Sequence, residues 1–97
     1  MEDLVLSAIA RVLVIEFSYN GKSRVCEPHV FGMANNQKQV LCYQTHGESR
    51  RGGIPQWRRF DLAGIENLKV TNEKFDGPRP IPKGPHSIWD DIILVVS

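Results

Sequence analysis

The spacing of apolar residues changes along the chain, and each change predicts an element. Leu4, Val5, Ala8, Ile9 and Val12 recur at helical spacing behind Asp3, a residue that can cap a helix start. Near Arg11 the period falls to two. Leu13, Ile15, Phe17 and Tyr19 alternate with Val14, Glu16 and Ser18, as in a strand with one buried face. Asn20-Gly21 then signals a tight hairpin, because both residues tolerate positive φ. The return strand is predicted from about Ser23 to Val30, bent, bulged or at an edge at Pro28, which cannot donate to a ladder. Asn35 to Lys38 reads as a polar turn and Gln39 to Thr45 as a strand. His46 to Gln56 reads as a loop broken by Gly52, Gly53 and Pro55, and Trp57 to Leu62 as another strand. A tight turn or single helical turn over Asp61 to Ile65 leads to a strand from Glu66 to Thr71, with Leu68 and Val70 on one face.

From Asp76 to Pro85 the composition shifts to proline (78, 80, 82 and 85) and glycine (77 and 84), which predicts a stiff, extended linker. Two readings stand for the end of the chain. Ser87 can cap a last helix, whereas Ile92 to Val96 is β-branched and strand-like. A run this apolar packs on the chain's own barrel or on a partner. The pattern therefore predicts a mainly β chain: a small β-barrel of about five strands with an N-terminal helix over residues 1–75, and an extended C-terminal tail over 76–97.

Ninety-seven residues suit one domain, with 41% apolar and 24% charged residues fitting a folded globule. The net charge of +1 argues against a general nucleic-acid coat, so any electrostatic attraction must be local. The stretch from Lys38 to Ile65 supplies it: Arg50, Arg51, Arg58 and Arg59 crowd one end of a predicted hairpin beside Tyr43 and Trp57. Arginine forks match phosphate oxygens, and the aromatic rings can stack a base. Alternation puts Arg58 on the inward parity of Phe60 and Leu62, at a barrel mouth, and Arg59 outward with Trp57. Tyr19 and Arg24 face each other across the first hairpin and complete the candidate set. The competing reading makes Arg50 and Arg51 solvated loop charges, pairs Arg58 with Glu27 or Asp61, and has Tyr19 close the core with one hydrogen bond to its hydroxyl.

Two cysteines, Cys26 and Cys42, do not make a disulfide framework, and no secretory signal is read ahead of them. No run approaches the roughly 20 apolar residues of a membrane span. The expectation is a cytoplasmic protein with reduced thiols and no membrane partner. Cys26 with His29, and Cys42 with His46, offer zinc-binding residue types, but Cys26 and His29, three apart on a strand, point to opposite faces. No nucleophile elbow, phosphate loop or paired-carboxylate spacing is present, so the expectation is a non-enzyme without cofactor or metal.

Several ordered pieces resemble the WYL-domain family, small SH3-like or Sm-like barrels of bacterial regulators. A helix leads into Val14-Ile15-Glu16-Phe17-Ser18-Tyr19. Then come Asn20-Gly21-Lys22-Ser23-Arg24 and Val25-Cys26-Glu27-Pro28-His29, Val40-Leu41-Cys42-Tyr43, and Arg58-Arg59-Phe60-Asp61-Leu62-Ala63-Gly64-Ile65, with Leu68 to Thr71 and Phe75 at the end. The resemblance covers about residues 4–75. The signature Trp-Tyr-Leu falls on Lys38-Gln39-Val40, and a second family arginine falls on Gly64. The resemblance implies a free-standing, non-catalytic regulatory domain of transcription that binds a nucleotide or single-stranded nucleic acid, with Arg24 and Arg58 remaining of the family's basic surface; the reading of the residues themselves adds Tyr19, Tyr43, Arg50, Arg51, Trp57 and Arg59 to the candidate set. A separate DNA-binding protein would then be a partner. The alternative is an interaction module that forms a homodimer through its C-terminal segment and a barrel edge.

Overall fold

A computed structural model describes residues 1–48 and 53–97. It is mainly β, with one N-terminal helix and a six-stranded antiparallel sheet. The elements run α1 (Glu2–Arg11), β1 (Leu13–Tyr19), β2 (Lys22–Ala34), β3 (Gln37–Gly47), β4 (Gln56–Asp61), β5 (Ile65–Lys74) and β6 (Asp91–Val95), with 3-10 turns at Leu62–Gly64 and Pro85–Ser87.

The helix buries Val5, Ala8 and Ile9 and leaves Leu4 exposed, a narrower stripe than the spacing predicts. Asp3 lies inside the first turn, not at the cap, where with Glu2 it complements the positive end of the helix dipole. Val12 ends the helix in the left-handed region, at φ 59°. That conformation is costly for a β-branched residue, and two backbone bonds hold it: the Val12 N–H donates to Ile9, and the Val12 carbonyl accepts from Phe75.

The strand order is β4-β3-β2-β1-β5, with β6 added to β2. Asn20-Gly21 and Asn35-Asn36 both turn with two consecutive positive φ angles, as tight hairpins require. β2 extends to Ala34, past the predicted end at Val30, because it changes neighbours along one edge. Its pairs with β1 end at Cys26 and its pairs with β6 begin at Val30, leaving Pro28 where no ladder bond is needed on that side. β4 and β5 are the ends of the path, and no pairing between them closes the sheet among the described residues. The inner face of the sheet carries the core with α1: Ile15, Phe17, Phe31, Val40, Phe60 and the free thiols Cys26 and Cys42.

Residues 75–91 are not a free linker. The strap they form lies across the outer face of β2, β3 and β4, where Val30 and Leu41 are paired in register and buried outside the main core. The Asp90 N–H donates to Met33 O, the Asp90 carboxylate accepts from the Asn35 N–H, and the Val96 N–H donates to His29 O. Gly32 permits the crossing, since a Cβ there would lie 2.3 Å from Asp91 O. The chain end is a strand: Leu94 and Val96 reach the core, while Ile92, Ile93 and Val95 stay exposed.

Candidate functional site

The predicted binding residues divide between the two faces of the sheet. On the inner face, Arg24 stands opposite Phe17 and not Tyr19, whose cross-strand partner is Lys22, and Arg58 stands opposite Cys42, so both arginines point with the core residues, as the parity of Arg58 predicts. Arg24 is 3% exposed. Its guanidinium sits 5.6 Å from the Phe60 ring centroid and 5.9 Å from that of Tyr19. It donates to Tyr19 O at 3.2 Å and, at a long 3.4 Å, to Gln44 Oε1. Its Nε is buried and makes no hydrogen bond, and no carboxylate lies within 4 Å among the described residues. Burial first, and the neighbouring Arg58 guanidinium second, lower its pKa. A buried cation normally has a paired anion, because desolvation costs several kcal/mol (order of magnitude) otherwise.

Tyr19 fulfils its structural reading: its ring meets Phe60 edge-on at 4.9 Å and its hydroxyl accepts from the Asp61 N–H. It also walls the Arg24 site, so the two readings of this residue are compatible. Gly64 lies against the ring, and a Cβ there would come within 2.7 Å of it. An arginine at this position, as in the WYL-domain pattern, would have to displace Tyr19. Gln44 joins the site without being among the predicted residues. It is fully buried, accepts from Arg24, and donates to His46 O and Glu48 O, which ties the start of the basic loop to the guanidinium. Its signal was present in the sequence, as a polar amide on the inward parity of Val40 and Cys42.

Tyr43, Trp57 and Arg59 lie on the outer face, away from Arg24 and Arg58. Arg59 donates to Ile88 O at 2.9 Å and Pro85 O at 3.0 Å, and its guanidinium lies 3.9 Å above the Trp89 ring. The Tyr43 ring is covered by Arg79, 4.3 Å away, and Trp57 packs edge-on against Tyr43 and His29. Neither aromatic is a free stacking platform for a ligand held by Arg24 and Arg58. Arg50 and Arg51 lie outside the described residues.

Sequence reasoning also missed the centre of the outer face. Arg79 grips the Glu27 carboxylate with two bonds, Nε to Oε1 at 2.7 Å and Nη2 to Oε2 at 3.1 Å. Glu27 therefore has Arg79 as a salt-bridge partner. The Arg79 N–H donates to His29 Nε2 at 3.2 Å, and His29 Nδ1 lies 2.8 Å from Glu27 O. The first bond needs Nε2 unprotonated and the second needs Nδ1 protonated, so His29 is neutral with its proton on Nδ1. Its ring is fully buried, stacked on Phe75 and edge-on to Trp57, and burial lowers its pKa.

A hollow of about 560 Å³ lies elsewhere, lined by Met1, Met33, Asn36, Gln37, Lys38, Leu62, Ala63 and Ile65, with none of the predicted binding residues. No protein-family model, no curated protein and no solved structure matches the chain.

Proposed function

We propose that the chain is a non-catalytic binding module whose inner mouth, at Arg24 and Arg58, takes the phosphate of a nucleotide. The observation that carries this reading is Arg24: a guanidinium 3% exposed, with a free buried Nε, a second guanidinium as neighbour and no carboxylate within 4 Å among the described residues. An incoming phosphate supplies the missing negative charge and accepts from the arginine forks. The WYL-domain resemblance supplies the ligand class. The SH3-like or Sm-like reading of the sheet is supported by the strand order β5-β1-β2-β3-β4 and by the 3-10 turn joining β4 to β5. In that reading the module serves a regulator whose DNA reader is a separate protein.

The test is a titration followed by backbone amide NMR, with inorganic phosphate, adenosine monophosphate and a short oligothymidylate at low and physiological salt. Saturable shifts at Arg24, Gln44 and Arg58, lost in Arg24→Met and weakened in Arg58→Ala, support the reading. No shift at these residues with any of the three probes sinks it. A steep salt dependence confined to the oligonucleotide would identify single-stranded nucleic acid as the ligand.

A second reading rests on β6. Ile92 is 52% exposed, Ile93 44% and Val95 46%, on a strand paired to β2 along one edge. Such an edge adds a strand from a second copy. Sedimentation of the wild type and of Ile93→Asp decides it: a dimer that the variant dissolves supports assembly, and a wild-type monomer at 100 μM or so removes it.

A further inference from the structure

The notch formed by Glu27, His29 and Tyr43 holds one residue, Arg79, in three distinct ways. Its carboxylate, 9% exposed, takes the fork of Arg79; its phenol ring takes the flat face of the same guanidinium; its imidazole takes the Arg79 backbone N–H. These contacts read an arginine side chain together with the backbone that carries it. A fork on a carboxylate and a flat cation on a ring are geometries that lysine does not reproduce. The occupant itself is only loosely enclosed. The Arg79 side chain is 42% exposed, and Pro78 and Pro80 on either side are exposed. The two prolines hold the segment extended before it docks, which lowers the entropy cost of binding.

We propose that this notch is a receptor for an arginine-bearing, proline-flanked peptide strand, and that the chain's own residues 78–80 fill it in cis. The partner is a protein presenting the sequence Pro-Arg-Pro in extended form. Its arginine would replace Arg79 on Glu27 and Tyr43, and the strap would lift from the outer face. The strap is anchored at buried Phe75, four residues before Arg79, so the cis arginine acts at an effective concentration on the order of millimolar. Free peptide must therefore bind far more weakly to the intact chain than to one whose own arginine is gone. The site is separate from the inner mouth, and its test is independent of phosphate binding.

The probe is a synthetic peptide of residues 77–85, followed through the indole N–H resonance of Trp57, whose ring centroid lies 4.8 Å from that of His29 and 5.3 Å from that of Tyr43. The Arg79→Ala chain is expected to bind it saturably, and the wild type at least about tenfold more weakly. A peptide with lysine in place of its arginine is expected to lose at least about tenfold against the Arg79→Ala chain, and the Arg79→Ala, Glu27→Gln chain to show no saturable shift. Equal binding of the lysine peptide, equal binding by the wild type, or no binding by a folded Arg79→Ala chain overturns the proposal. If Arg79→Ala does not fold, Arg79→Lys replaces it, keeping the stem and the charge while losing the fork, with the same expected order and the same overturning results. Wild-type dimers that dissociate on adding the peptide would show that the strap of a second copy is the occupant, and would overturn the assignment to a different partner.

Discussion

Arg24 and Arg79 are the same residue in opposite circumstances. Arg24 is buried on the inner face with two backbone or amide acceptors at 3.2 and 3.4 Å and no carboxylate within 4 Å among the described residues. Arg79 is half open to solvent and has the full fork on Glu27. Folding stability alone would favour the reverse arrangement, since the desolvated cation needs an anion most. The pKa directions follow the partners. Burial lowers that of Arg24, whereas the hydrogen bonds to Glu27 raise that of Arg79. The outer pair makes a latch, whereas the buried Arg24 guanidinium has no carboxylate within 4 Å among the described residues, the feature on which the proposed phosphate site rests.

The sharpest way to break this contrast is to remove the inner charge. Arg24→Met keeps most of the volume and the stem while deleting the guanidinium. We expect loss of phosphate binding by about a hundredfold or more, equivalent to about 2.7 kcal/mol. Stability should be unchanged or raised by about 1–2 kcal/mol, because an unpaired buried charge is replaced by an apolar group. Calorimetric titration and urea unfolding of the same preparation check both halves. A variant that unfolds easily and still binds phosphate would make Arg24 a structural residue and nothing more.

The outer contact should answer in the opposite sense. Glu27→Ala leaves Arg79 without its carboxylate, and we expect a loss of about 1–2 kcal/mol, held to that range because Arg79 is partly exposed. In a domain of this size the melting temperature should fall by about 5–10 °C. Phosphate binding at the inner mouth should be untouched. Thermal unfolding by circular dichroism measures the first and NMR titration the second. An unchanged melting temperature would mean that the strap is held by Arg59 and β6 alone.

These two sites also mark what the sequence made legible. The helix, the Asn20-Gly21 turn, the inward parity of Arg58 and the alternation of β1 over Ile15, Glu16 and Phe17 are local patterns, and each appears in the fold, whereas Val14, expected on the polar face, is buried beside a register shift. Parity placed Arg59 and Trp57 outward as well, but it was silent on what covers them. In sequence the strap reads as a linker, because proline composition describes stiffness and not destination. Its key contact joins residues 52 apart in sequence, and no periodicity encodes such a pairing. Glu27 and His29 share a strand parity two residues apart, which placed them on one face without naming their partner. The sixth strand was ambiguous for a related reason, since a short apolar run fits helix or strand until β2 offers an edge.

Acid should loosen the outer latch before it disturbs the inner site. His29 is buried neutral and its folded pKa lies below the unfolded value of about 6.5. The unfolded chain therefore binds more protons between those two pKa values. Stability is full above about pH 6.5 and is lost as pH falls toward the folded pKa, at no more than about 1.4 kcal/mol per pH unit for this group. Protonation at Nε2 removes the acceptor of the Arg79 N–H and places a cation beside the Arg79 guanidinium, with the Glu27 carboxylate facing both. His86 adds to the same slope, since burial and then Arg59 lower its pKa on the same strap. Hydrogen exchange between pH 7 and 5 should speed up at Arg79 and Asp90 more than at Val40. Uniform acceleration across the sheet would show that acid acts on the whole fold and not on the strap.

The smallest expected effect concerns the two thiols, and it tests whether the inner face is as closed as the arginine argument needs. Cys26 and Cys42 are both fully buried and in side-chain contact, and burial first, then the neighbouring Cys26, pushes the Cys42 thiol well up. A thiolate must attack the disulfide reagent and expel its leaving thiolate, and neither buried sulfur can reach the reagent while the chain is folded. Labelling by a disulfide reagent at pH 8 should then proceed at the rate of opening, slow in the wild type and unchanged or slower in Arg24→Met. In Glu27→Ala it should be faster by the factor that the lost stability dictates, about 5–30-fold for 1–2 kcal/mol. Rapid labelling of the wild type would place solvent against Cys26, two residues from Arg24 on the same strand face. The guanidinium would then be hydrated, and its lack of a carboxylate would no longer call for a ligand.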